Sequence, residues 1–555
     1  MSTTLRPEPD AASDCAGSAE SASAHVLRSS SRSELLWQLA LVALLAATAA
    51  FMFYLARGLT FNLDEWIVVT QRRGPDAPSL LAPHNEHLSV LLLSVFLGLV
   101  KLGGLDDQPL MMVPLVALQV ALGALLFVVA RRRVGAGVAV GVAALALVSG
   151  LAYENFLIPG QAGQMASIVA GVAAFAVLDL PPSRRNDVLL AGLMTVALAS
   201  SGMGIPVLLG VTVELVLSAH GRRRLWVVAA PFGLYLLWYL GYGTNRAGVH
   251  ELGLTLLWAW TAACHAAGAL IGRRQVEPGR DLLVVLLVVL AYRAWKVEPA
   301  ARIRMAAIAT VLVTFYGLTA ISRHDIAPPS SSRYLTVGLV FLLLLLVESA
   351  RGLRVRRWAP WAVLLLAFVA LSKDHKVAFR EGRGLFLERS QEMRGALGAL
   401  DLLGSDRVDP RLEVAPNAAP FFEAGPWFDA LDALRGDPAY TAAQLPRAPA
   451  VARAFADDTL IRAGGLALGP ASDGRLTCRR PWPGDEGPVP AAGVRVEAAT
   501  RAPMTLRARR FGQDWVMVGV VPVPPGRAVE LHPLRDASPV RYELSVPRAG
   551  RACLV

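Results

Sequence analysis

Between Ser33 and Leu371 one pattern repeats: an apolar run almost free of charge, then a short polar break. The runs are Leu35–Leu55, His87–Leu102, Leu110–Ala130, Val134–Leu151, Gly163–Leu180, Val188–Met203, Ile205–Ser218, Leu225–Tyr242, Leu252–Ile271, Leu282–Trp295, Met305–Ile321, Tyr334–Val347 and Trp358–Leu371, thirteen in all. Many approach the roughly 20 residues a helix needs to cross about 30 Å of hydrocarbon. The pattern predicts an α-helical polytopic membrane protein.

The breaks carry the orientation. Arg131–Arg133, Arg184 and Arg185, Arg222–Arg224, the group Arg293, Lys296, Arg302 and Arg304, and the group Arg351, Arg354, Arg356 and Arg357 all stand at ends of apolar runs. Basic loops stay inside, yet thirteen crossings from an inside N-terminus would put Arg131–Arg133 outside. Treating His87–Leu102 as an interfacial helix removes that conflict. Leu252–Ile271 is treated as interfacial or re-entrant for the same reason, because its crossing would expose Arg293 and its neighbours. About eleven spans then remain within a membrane domain of residues 34–372, with a large first outer loop over 58–108 and the C-terminus outside.

After Leu371 the pattern changes to mixed charge with frequent Pro and Gly, which predicts a soluble extracytoplasmic α+β domain over 373–555. Lys373–Leu403 reads as a polar helix. Val494–Ala499, Met504–Arg509, Trp515–Val521, Ala528–Leu531 and Arg541–Val546 read as strands between turns, giving a small β-sandwich and a β-rich stretch over 475–555. Residues 1–33, rich in Ser, Ala and Glu, read as a disordered cytoplasmic tail.

Composition agrees with this picture: 54% of residues are hydrophobic and the mean hydropathy is +0.46. The net charge of +11 sits at run ends, where it marks orientation and not a nucleic-acid footprint. Of four cysteines, Cys478 and Cys553 pair if the terminal domain lies outside, or remain two unrelated thiols. No GxxxxGK[ST] phosphate loop is present.

The candidate chemistry falls on the outer loops. Asp64 and Glu65, just beyond the first span, are two carboxylates that near hydrocarbon demand water, a cation or a substrate hydroxyl, and a carboxylate there can take a proton from an attacking hydroxyl. The plainer reading is an acidic first helical turn with Trp66 in the interfacial aromatic belt. His84, Glu86 and His87 open the interfacial helix as pocket-lining groups, metal ligands or simple caps. Glu154, in Tyr153-Glu154-Asn155 ahead of Gln161 and Gln164, adds a carboxylate or merely hydrates a loop. Arg323-His324 and Ser332-Arg333-Tyr334 bracket a late outer loop. A guanidinium such as that of Arg333, at headgroup depth, suits a lipid phosphate when it is not simply snorkelling.

These residues, in this order on this topology, resemble the GT-C superfamily of membrane glycosyltransferases, which includes protein O-mannosyltransferases, lipid A aminoarabinose transferases and oligosaccharyltransferases, and within it the actinobacterial type. The likeness covers roughly residues 35–372 and rests on Asp64-Glu65 after the first span, interfacial helices in the first outer loop, and Arg333-Tyr334 opening a late span. It implies a plasma-membrane enzyme that moves sugar from a polyprenyl-phosphate donor to a glycan, lipid or protein acceptor outside the cell. It also implies that Asp64, with Glu65 beside it, is the catalytic acidic motif, Glu154 the second acidic position, and Arg333 the holder of the donor phosphate, with His84, Glu86, His87, Arg323 and Tyr334 lining the substrate site. No residue set is assigned to a metal, and a divalent cation is left open.

Two other classes share some of these features. A lipid or solute transporter or flippase also has many spans, but here the span interiors hold few ionisable groups, Glu214 being the exception. A non-catalytic cell-envelope scaffold would leave Asp64 unconstrained.

Overall fold

The computed structural model describes residues 13–555 apart from 73–77, 107, 220, 244–251, 417–418, 470–471, 474–479, 483, 499–502, 522–526 and 549. Its first two thirds form a helical bundle. Among the described residues six helices are long and apolar enough to cross a membrane: Ser33–Leu55, Gln108–Val134, Pro159–Leu178, Gly221–Tyr242, Pro299–Arg323 and Ser332–Ser349. Shorter or more polar helices fill the bundle between them, among them Ala136–Leu147, Arg184–Ser200, Gly204–Leu217, Val276–Lys296 and Ala359–Ala370. The first helix starts at Ser13, inside the stretch expected to be disordered; Ala and Glu favour helix once an apolar segment propagates it.

Helix reversals follow local chemistry. Gly135, at φ 79°, ends Gln108–Val134 and lets Ala136–Leu147 turn straight back. Small residues set the helix separations: a methyl on Gly210 would lie 2.8 Å from the Ala307 carbonyl, and one on Gly279 would lie 2.1 Å from that of Cys264. Such backbone approach is how helices pack where lipid supplies no hydrophobic drive.

The bundle has two unlike ends. One, the basic face, gathers Arg133, Asp179, Glu214, Arg304 and Glu348. Arg133 grips Asp179 at 2.9 Å through two nitrogens and also pairs with Glu348, while Arg304 reaches Glu214 at 2.5 Å and Asp179 at 3.0 Å. Arg304 also lies over the Phe175 ring at 5.3 Å. The opposite end carries the Leu63–Gln71 and Val90–Gly103 helices and the polar cavity described below. Leu252–Leu270 keeps both of its ends there: Trp258 Nε1 donates to the Ala327 carbonyl, and the Ala269 carbonyl meets His375.

Ala359–Ala370 passes through a π-turn at Leu371–His375 into the amphipathic helix Lys376–Leu403. Its buried face, including Met393, Ala396, Leu397 and Leu400, joins Phe61, Trp66, Phe96, Phe422 and Trp427 in one core. Trp66 is 1% exposed, with ring centroids 5.1 Å from Phe61, 5.3 Å from Phe422 and 5.8 Å from Trp427. It therefore does not serve in an interfacial belt. The C-terminal region supplies an apolar seat for it, which run-by-run hydropathy does not reveal.

Two antiparallel sheets close the chain. One orders Glu486–Pro488, Glu543–Ser545, Met504–Arg509 and Val516–Val521; the other orders Gly550–Leu554, Val494–Ala498, Arg527–Pro533 and Leu466–Leu468, with Ser472–Asp473 beside Arg527–Pro533. They share a core of Val494, Val496, Leu506, Leu531 and Leu544, as a β-sandwich does. Cys553 is buried on the last strand. Its expected partner Cys478 lies outside the described residues.

Candidate active site

Asn62 starts the Leu63–Gln71 helix in extended conformation, and Glu65, at its third position, reaches back to accept from the Asn62 main-chain N–H at 2.7 Å. This is half of a capping box. The other Glu65 oxygen accepts from the Gly160 N–H at 2.6 Å. Both oxygens of the buried carboxylate are thus committed to main-chain donors. Burial raises the Glu65 carboxyl to about 7; the two N–H donors oppose this and the Asp64 charge adds to it.

The segment before Val90–Gly103 forms a two-residue hairpin. His84 and His87 exchange main-chain hydrogen bonds of 3.0 Å each way, and between them Asn85 and Glu86 take φ values of 50° and 69°. Two successive left-handed residues suit such a tight turn, but for Glu86 the conformation is strained. Neighbours hold it in place. Arg72 donates to the carbonyls of Ala82 and Pro83, and Arg323 donates to that of Asn85 at 3.3 Å. The Asn85 amide in turn donates to Asp64 at 2.9 Å. Burial lowers the basicity of both His84 and His87, so they favour the neutral form.

Arg333 lies 3.0 Å from Glu154 as an ion pair, its side chain 44% exposed. Its position is fixed through the main chain: the Asn155 and Gln164 amides donate to its carbonyl at 3.2 and 2.6 Å, and Asn155 also donates to Thr336. Tyr334 is buried against Trp258 and Phe315.

All of these groups border one cavity of about 680 Å³. Asp64, Glu65, His84, Glu86, His87, Glu154, Arg323, Arg333 and Tyr334 line it, together with apolar side chains such as Phe315, Leu318 and Ile326. Ile326 is 68% and Leu318 41% exposed, so the apolar rim opens to the outside of the bundle where lipid would lie. Among the described residues no group of three or more His, Cys, Asp or Glu side chains is arranged to hold a metal ion. In fold, the chain is similar to ArnT. Two crystal structures of ArnT from Cupriavidus metallidurans match it, one in the apo state and one bound to undecaprenyl phosphate, with TM-scores of 0.41 and 0.39. Each is 14% identical, and each match covers 69% of this chain and 84% of ArnT. No protein-family model and no curated protein sequence matches the chain.

Sequence reasoning missed Arg389. It comes from the Lys376–Leu403 helix, packs over the Phe386 ring at 5.8 Å and lines the cavity, although its helix reads as an ordinary polar one. Glu214, singled out by its place in an apolar run, is far from this site and belongs to the ion-paired basic face.

Proposed function

We propose that the chain is an integral membrane glycosyltransferase that takes sugar from a polyprenyl-phosphate donor and passes it to an acceptor on the cavity side, which the charge rule places outside the cell. The observation that carries this reading is a cavity lined by both Asp64 and the Arg333–Glu154 pair, with a rim of exposed apolar side chains. Asp64 accepts the proton of the acceptor hydroxyl. The hydroxyl oxygen forms a bond to the anomeric carbon as the bond to the lipid phosphate breaks, and the phosphate leaves as an anion. Arg333 neutralises that charge. Glu154 keeps the guanidinium aimed at the cavity, and Arg323 and Arg389 add positive potential along its walls. The rim holds the polyprenyl chain.

Membranes that carry the full chain together with its acceptors are offered undecaprenyl-phosphate-linked mannose, glucose, galactose or arabinose, each labelled in the sugar. Transfer of label to membrane material with release of undecaprenyl phosphate from at least one of them, and no transfer from free sugar phosphate, is the expected result. Failure of all four, with no saturable binding of undecaprenyl phosphate itself, would overturn the reading.

A further inference from the structure

Glu65 adjoins the proposed base, yet neither of its oxygens faces the cavity free of a donor. On the reading of Asp64 as the base, we propose that Glu65 is a positioning residue: a proton-sensitive tie that fastens the helix carrying Asp64 to the Pro159–Gln161 turn, just beyond Glu154. The tie joins segments 95 residues apart through bonds of 2.7 Å to Asn62 and 2.6 Å to Gly160. The carboxylate is 3% exposed, so water does not substitute for a lost partner. Gly160 suits the tie because it has no side chain: a methyl there would sit 3.3 Å from Glu65 Oε1, so the carboxylate would have to give by a few tenths of an ångström.

An ionised carboxylate can only accept, which suits two N–H donors. A proton on either oxygen competes with one of them but removes the buried charge, and the second effect is the larger. Burial brings protonation to about pH 7. The charged groups facing Glu65 are Asp64 on its own helix and Arg389 on the Lys376–Leu403 helix, which shares a small pocket with it; the Pro159–Gln161 turn brings none. Opened to water the carboxyl would return to its ordinary range near 4.5, so the closed site binds the proton more tightly than the opened one, and opening becomes harder as the pH falls through about 7.

Hydrogen exchange of the full chain in nanodiscs reads the tie without any substrate. With intrinsic rates corrected for pH, protection of the Asn62 and Gly160 amides in the unaltered protein should rise as the pH is lowered from about 8 to 6. Glu65→Gln offers one acceptor oxygen instead of two, so exchange at these amides should quicken about tenfold at pH 8 and lose its pH dependence. Gly160→Ala asks the carboxylate to give by only a few tenths of an ångström, so it should quicken exchange less and keep the pH dependence. Unchanged protection in both variants, or protection in the unaltered protein that ignores pH, would overturn the proposal. Asp64→Asn should leave both amides protected. Should that variant instead keep full transfer activity, the base assignment fails while the tie stands.

Discussion

The two faces of the bundle use the same side chains to opposite ends. At the basic face Arg133 and Arg304 pair with Asp179, Glu214 and Glu348 in a buried network that Arg132 and Arg351 join from its edge, Arg304 being 7% and Glu348 2% exposed. At the cavity face Arg333 is paired but 44% exposed, Arg323 meets only a carbonyl among the described residues, and Asp64 is held by a neutral amide. A closed network leaves little charge for a ligand; at the cavity the charged groups stay partly exposed or meet neutral partners. Ionisable residues near a membrane are thus not a uniform signal of function. What matters is whether their partners are protein groups.

This contrast breaks most visibly at Arg304. Arg304→Met leaves Glu214 and Asp179 partly uncompensated in a dry site and should cost about 3–5 kcal/mol of stability, read as a lower melting temperature. The cavity chemistry per folded molecule should not change. Arg304→Met with Glu214→Leu should recover most of the loss, since an apolar pair of similar volume often serves as well.

His375 tests whether a satisfied group on the cavity side behaves like one at the basic face. Its Nδ1 accepts from the Leu151 N–H at 3.1 Å and its Nε2 donates to the Ala269 carbonyl at 2.9 Å, so burial holds the ring neutral, its pKa pushed down to about 4. With a folded value below the ordinary 6.5, stability is full above pH 6.5 and drains as the pH falls toward 4, by up to about 3 kcal/mol. Thermal melts over this window should show the slope, and His375→Gln should flatten it.

Smaller effects separate binding from positioning inside the cavity. Arg333→Ala removes a charge-assisted grip and should weaken undecaprenyl-phosphate binding by about 1.5–3 kcal/mol, measured by titration in nanodiscs. Asn85→Gly preserves the left-handed turn while deleting the amide on Asp64. Turnover should fall about fivefold, near 1 kcal/mol, with donor affinity unchanged.

Much of this was legible in the chain. Run lengths and basic breaks put Asp64, Glu154 and Arg333 on loops of one face, and alternation with turn residues located Val494–Ala498, Met504–Arg509 and Val516–Val521 to within a residue or two. What stayed hidden depends on partners distant in sequence. Glu65 is tied to Gly160, Glu214 to Arg304, and Trp66 to Phe422 and Trp427. No local period marks such pairs, because each half is satisfied only after the chain has folded. Arg389 is the sharpest case: its helix repeats polar residues as a solvated helix would, and only its packing across the first outer loop brings it to the cavity.

The central claim is that Asp64 takes the acceptor's proton in a site that holds a polyprenyl-phosphate sugar. Asp64→Asn keeps the shape and the contact with Asn85 but removes the proton acceptor. Donor binding and release of undecaprenyl phosphate should be measured on one preparation of this variant, beside the unaltered chain. The account predicts undiminished binding with turnover lower by roughly 10²–10⁴; turnover at the unaltered level, with binding intact, would contradict it.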